Sequence, residues 1–181
     1  LDEHNKIIFP IIDSNEGQII KLIGDAIFAR FISANGALTA ATKIQNILTE
    51  RNSVSKKNQE INIRIGLHLG KVIEKDSDLF GHDVNLCSRI ESISPKGGIA
   101  ASAQLINSIK KSDFHYREMG YVKLKNIVDP HQIYKVYLNH IEYESETDKQ
   151  LQTHLKDNGI NIVDINSYST EEIFSIAVLY I

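Results

Sequence analysis

The sequence predicts an α+β domain with a split β-α-β sheet, mainly antiparallel, and helices packed on one face. Three observations predict it. Two stretches alternate apolar and polar residues around a glycine-containing turn. Segments of helical periodicity separate them. The elements run helix, hairpin, helix, hairpin, helix, strand, helix, strands, the order of a ferredoxin-like sheet that lacks its first strand. That strand is expected at the centre of the sheet, so its neighbours would have open backbone groups.

Residues 3–12 carry Ile7, Ile8, Ile11 and Ile12 at helical spacing, with Pro10 inside and turn chemistry at 13–17. QIIKLI (18–23) and AIFARF (26–31) flank Gly24-Asp25 and read as a hairpin with a two-residue turn. Leu38, Ala41, Ile44, Ile47 and Leu48 give 34–51 a helical stripe, and 53–60 is a polar loop. INIRIGLHLGKVIE (61–74) reads as a second hairpin turning near 68–70. A loop at 75–81 leads into a helix over 82–92, and Pro95-Lys96-Gly97-Gly98 breaks the chain before a short strand. A helix over 103–111 and strands near 114–125 and 132–138 follow. From about 142 the chain turns polar and acidic, and EYESETDKQ is either a linker or a charged helix. NIVDIN (161–166) and IFSIAVLYI (173–181) read as strands of something else.

Composition narrows the function. Of 181 residues, 42% are hydrophobic and 24% charged, with a net charge of −3, the balance of a globular chain without the basic excess that marks nucleic-acid binding. The apolar runs are far too short to span a bilayer, so no membrane segment is expected. Cys87 is alone, which excludes an internal disulfide and suits a reducing compartment such as the cytoplasm. The seven histidines show no H-E-x-x-H spacing. Gly66 to Lys71 is one residue short of a phosphate-binding G-x-x-x-x-G-K and sits outside the strand-to-helix context such a loop requires.

Two constellations can carry chemistry. Asp25 stands on a tight turn between two strands, where a carboxylate either holds a cation or only satisfies the turn. Asn85 and Arg89, four apart on the 82–92 helix, share one face. Such a pair can orient a sugar and stabilise phosphoryl charge, or it can be a solvated face with Asp83 or Glu91 as partners of Arg89.

Together these segments resemble the catalytic domain of the class III adenylate/guanylate cyclases. EGQIIKLIGDAIFARF, INIRIGLHLGKVI, DLFGHDVNLCSRIESISPKGGIAAS and MGYVKLKNIVDPHQIYKVY follow the family's motifs in order and with its gap lengths, over residues 3–138. The resemblance implies the class III nucleotide cyclase fold, with ATP as substrate, two magnesium or manganese ions per site and a head-to-tail homodimer that shares its active sites. It implies Asp25 as a metal ligand, Lys21 and Asp78 as the base-reading pair, Asn85 as the ribose-positioning amide and Arg89 as the transition-state arginine. Lys125 is a candidate triphosphate contact by position, with Lys123 as the alternative. An ammonium donor and a carboxylate acceptor suit the N1 acceptor and the amine of adenine and mismatch guanine, which favours ATP over GTP.

The family's first metal aspartate is expected upstream of residue 1. Asp13 is too close to Asp25 to replace it, and Asp2 falls where the first helix should already run. These 181 residues are therefore expected to be inactive alone. The implied organisation is a cyclase domain over 1–140, a linker over 141–172 and a further domain from 173. FSIAVLYI resembles the opening strand of a TolB-like domain, and a generic strand is the alternative. A cyclase-homology module that binds nucleotide or only dimerises is the alternative to an enzyme. The sequence upstream of Leu1 would discriminate the two.

Overall fold

A computed structural model describes residues 2–76, 78–110 and 113–165 of the chain. The expected strand at 173–181 lies outside the described residues.

The first helix, α1 (Asp2–Ser14), runs through Pro10. Pro10 is exposed, and so is Lys6, whose carbonyl loses its intrahelical donor, so the missing bond falls on the solvent side. The opposite face buries Ile8, Ile11 and Ile12 against Ala40, Ile44 and Leu48 of α2 (Ala34–Ser53). Ser33 starts α2 by accepting the Gly36 N–H at 3.0 Å, which satisfies one orphan donor of the first turn. Between the helices, β1 (Gly17–Ile23) and β2 (Ala26–Phe31) form the expected hairpin. Gly24, at φ 64°, takes the left-handed turn position that a side chain would strain.

The main sheet has five strands in the order β3-β6-β8-β7-β9. They are β3 (Ile65–Leu67), β6 (Ile99–Ser102), β7 (His115–Val122), β8 (His131–Tyr137) and β9 (Ile162–Val163). β3 runs parallel to β6, with Ile65 opposite Ile99, and the other pairings are antiparallel. α3 (His82–Ile93) lies on this sheet so closely that a Cβ on Gly66 would stand 2.3 Å from the Glu91 nitrogen. Leu86 and Ile90 of α3 join Ala100, Met119 and Ile133 in one core cluster. A second cluster gathers Leu38, Leu67, Ile99, Val136 and, from α4 (Ala103–Ile106), Leu105. Gln45, fully buried on α2, donates to the carbonyls of Ile63 and Gly98 and pins the helix to the lead-in of β3.

The 61–74 stretch does not fold back on itself as a hairpin. After β3 the chain leaves the sheet, and β4 (Ile73–Lys75) pairs with β5 (Asp78–Phe80) instead. The reason is local: Asp83 accepts the Lys71 N–H at 2.6 Å, so this backbone is held over the first turn of α3 rather than in a ladder.

The polar stretch after 140 forms α5 (His140–Ser145) and α6 (Asp148–Asp157), the latter opened by a Thr147/Gln150 capping box. Leu151 and Leu155 of α6 enter the core, and β9 pairs with the edge of β7. The 161–166 strand was expected to belong elsewhere. It completes this sheet because Tyr121 and Val122 offer an open edge to Val163 and Ile162.

Among the described residues β2 pairs only with β1, and β3 only with β6. A cavity of about 690 Å³ lies between them, walled by Phe28 and Phe31 on one side and Ile65 and Leu67 on the other.

Candidate functional site

Strand β1 sends the Lys21 side chain across to β5, where its Nζ stands 2.7 Å from each oxygen of Asp78. Two phenyl rings bracket the ammonium, with centroids 5.7 Å away in Phe28 and 5.6 Å away in Phe80. The Lys21 hydrogen bond, helped by the Leu79 N–H at 2.7 Å, holds the Asp78 carboxyl below its ordinary pKa. Both side chains stay about a third exposed, at 33% and 29%, so the pair is open to exchange with a ligand.

The cavity between β2 and β3 brings Lys21, Asp25 and Asn85 to one place. Asp25 is exposed at the tip of the β1–β2 turn, and Asn85 is exposed on α3. Arg89 lies one turn further along α3, half-buried, and forms no ion pair among the described residues. Its two sequence-level partners are otherwise placed. Asp83 holds Lys71, and Glu91 lines the cavity. Arg89 itself is not among the residues that line the cavity; its guanidinium, one helical turn from Asn85, is free to take an anionic ligand.

Lys125 is not brought to this place. It is exposed on the loop between β7 and β8 and does not line the cavity. Its alternative, Lys123, donates to the Val128 carbonyl within the same loop.

Further polar residues that line the cavity without having been singled out include Arg64, Ser88 and Lys96. Ser88 had a signal, since it stands three residues after Asn85 on the same helix face. Arg64 and Lys96 had none, because only the fold carries them there. Cys87 also lines the cavity, its Sγ donating to the Gly66 carbonyl at 3.5 Å, and burial pushes its thiol up to about 11, which leaves it unreactive.

Comparison with known proteins bears on the family and the fold. Residues 1–140 match the family described as the adenylate and guanylate cyclase catalytic domain. A Rhizobium meliloti protein named "Putative adenylate cyclase 3" is 31% identical over 130 residues, which cover 71% of this chain and 22% of that protein. The chain thus spans about a fifth of that relative's length. Among solved structures, an adenylate/guanylate cyclase/hydrolase from Silicibacter pomeroyi superimposes with a TM-score of 0.69 at 31% identity, covering 75% of this chain and 81% of the other. Adenylate cyclases from Trypanosoma brucei, solved in their monomeric state, share the fold at a TM-score of 0.66 and 15% identity, with 78% of each chain covered.

Proposed function

The chain belongs to the adenylate and guanylate cyclase catalytic domain family, and from that premise we propose that the protein containing it is an adenylate cyclase. It converts ATP to 3′,5′-cyclic AMP and pyrophosphate. The ribose 3′-hydroxyl gives up its proton to solvent, and its oxygen forms a bond to the α-phosphorus in line with the departing pyrophosphate oxygen, whose bond breaks.

The observation that carries the choice of ATP is the Lys21–Asp78 pair. Its 2.7 Å contacts put one donor and one acceptor side by side, framed by Phe28 and Phe80. Adenine presents the complementary edge, an acceptor at N1 beside a donor amine. Guanine presents an N1–H and O6, which would leave both groups opposed to their own kind, a penalty of about 1–3 kcal/mol for each unmet group.

Asn85 positions the ribose, and Arg89, held half-buried without an ion-pair partner, stabilises the charge that builds on the α-phosphoryl oxygens. Lys125 remains a proposed triphosphate contact on resemblance alone. Family membership implies divalent cations, magnesium or manganese. No cluster of three or more His, Cys, Asp or Glu able to hold a metal lies among the described residues, and a two-cation site needs more carboxylate than Asp25. These residues do not fit such a site by themselves. Asp25 is the ligand this chain would contribute.

A head-to-tail homodimer with shared sites is part of the same proposal. The side chains of Leu22, Ile23, Ile73 and Phe80, all near the Lys21–Asp78 pair, are 50%, 60%, 68% and 49% exposed, an apolar surface suited to a second copy. The family match ends at residue 140, but α6 and β9 pack on the same core and sheet, so the folded unit runs at least to Val163; a TolB-like domain is proposed to begin at 173. A second reading, a non-catalytic module that binds nucleotide, draws on the lack of a metal-holding carboxylate cluster around Asp25 among the described residues.

The test is product identity. The full-length protein, given ATP and magnesium or manganese, is expected to release cyclic AMP and pyrophosphate in equal amounts, and Arg89→Ala is expected to lower kcat at least about 100-fold. Nucleotide binding without turnover would select the second reading.

A further inference from the structure

Three side chains from three elements meet beneath the first turn of α3. His68 follows β3, Ser102 closes β6 and caps α4, and Asp83 stands in the first turn of α3 itself. The His68 side chain is 5% exposed, and its Nδ1 lies 2.8 Å from the Ser102 Oγ. That oxygen accepts the Leu105 N–H at 3.4 Å, and in the tautomer proposed here its own proton is donated to Nδ1. The ring proton then sits on Nε2. Nε2 is buried without a hydrogen-bond partner and faces Asp83 Oδ1 at 3.6 Å, just beyond hydrogen-bond reach.

Asp83 is itself gripped from a second side. Its Oδ2 accepts the Lys71 N–H at 2.6 Å, and a Cβ on Gly70 would stand 2.4 Å from that oxygen. Burial pushes the His68 pKa down, against the pull of Asp83, with His82 adding to the lowering, which favours the neutral ring. Asn85 and Arg89 follow Asp83 on the same helix, and a shift of its first turn moves both.

We propose that His68 is a positioning residue for this reaction. Its Nε2–H draws on Asp83 and, through Asp83, sets the register in which α3 presents Asn85 and Arg89 to the nucleotide. The inference rests on the adenylate cyclase reading. Closing the 3.6 Å gap to a normal hydrogen bond is a sub-ångström movement, on the scale at which misplacement of reacting groups costs about 100-fold in rate.

Two substitutions separate the contacts. His68→Gln keeps a donor near the Nε2 position, whereas His68→Asn reaches only toward Ser102. In the full-length protein, His68→Asn and His68→Leu are expected to lower kcat about 30-fold with KM for ATP nearly unchanged, and His68→Gln to restore most of the rate. Equal rates for the Asn and Gln variants, or a loss confined to KM, would overturn the proposal. Histidine-labelled full-length protein gives an independent readout: the nitrogen spectrum of His68 is expected to show the Nε2–H tautomer and to change in Asp83→Asn. An Nδ1–H tautomer, or no change, also overturns the proposal. A wild-type protein that makes no cyclic nucleotide refutes the cyclase reading, and that control separates the two failures.

Discussion

Lys21 and Asp78 are 57 residues apart in sequence, yet the ammonium of one lies 2.7 Å from the carboxylate of the other. Strand β1 and the short strand β5 pack together here, and the two charges satisfy each other. Under the proposed base-reading role, ligand binding would exchange one charged contact for two polar ones, and recognition would depend on match rather than on charge alone.

Reversal of the pair's polarity should therefore change the preferred base. The double variant Lys21→Glu, Asp78→Cys in the full-length protein is expected to lower the ATP-to-GTP ratio of kcat/KM by about 100-fold, because each position then offers guanine the complementary group. Steady-state kinetics with both nucleotides reads it, and an unchanged ratio contradicts the base-reading assignment.

Shared sites make a different prediction. Asp25→Ala and Arg89→Ala variants, each inactive and each folded, are expected to recover activity when mixed, since one kind of site in the mixed dimer keeps both groups. A mixture as inactive as its components, with dimers present by sedimentation, contradicts the shared arrangement.

Glu146 ties the segment after residue 140 to the sheet. It accepts from Tyr137 at 2.5 Å and Lys135 at 2.8 Å and meets His154 Nδ1 at 2.9 Å, with its side chain 10% exposed. Burial raises its pKa, but the bonds from Lys135, Tyr137 and His154 outweigh burial and hold the carboxyl below its usual value. A depressed pKa adds stability above the unfolded value, and that stability is lost as pH falls through the folded one. Denaturant unfolding should show stability declining below about pH 4.5, a decline reduced in Glu146→Gln. Glu146→Ala, which strands Lys135 and Tyr137, is expected to cost about 2 kcal/mol.

Gly66 tests how α3 is seated. A methyl group there would meet the Glu91 backbone nitrogen at 2.3 Å and force helix from strand. Gly66→Ala is expected to destabilise the chain by about 1–3 kcal/mol in chemical denaturation and to lower activity further by moving Asn85 and Arg89.

The fold was legible where local signals agreed. The β1–β2 hairpin, its Gly24-Asp25 turn and the α2 and α3 helices stand where alternation, turn chemistry and helical spacing put them. What was not legible depended on distant partners. The 61–74 stretch alternates like a hairpin, but Ile65 finds Ile99 and Lys71 finds Asp83, contacts that no window of sequence contains. The strand at 162–163 is too short to declare its sheet, and the edge of β7 decides it. The same division holds at the site. Asn85 and Arg89 announce themselves by helical spacing, Lys21 and Asp78 only by motif, and Arg64, Lys96 and the His68–Asp83 contact only through the folded chain.

The measurement that bears most directly on the central claim is the full-length protein's kcat/KM for cyclic nucleotide formation from ATP and from GTP, side by side with one divalent cation. The Lys21–Asp78 pair predicts cyclic AMP as the product and a preference for ATP of about 100-fold or more. Equal use of the two nucleotides, or preference for GTP, would contradict it.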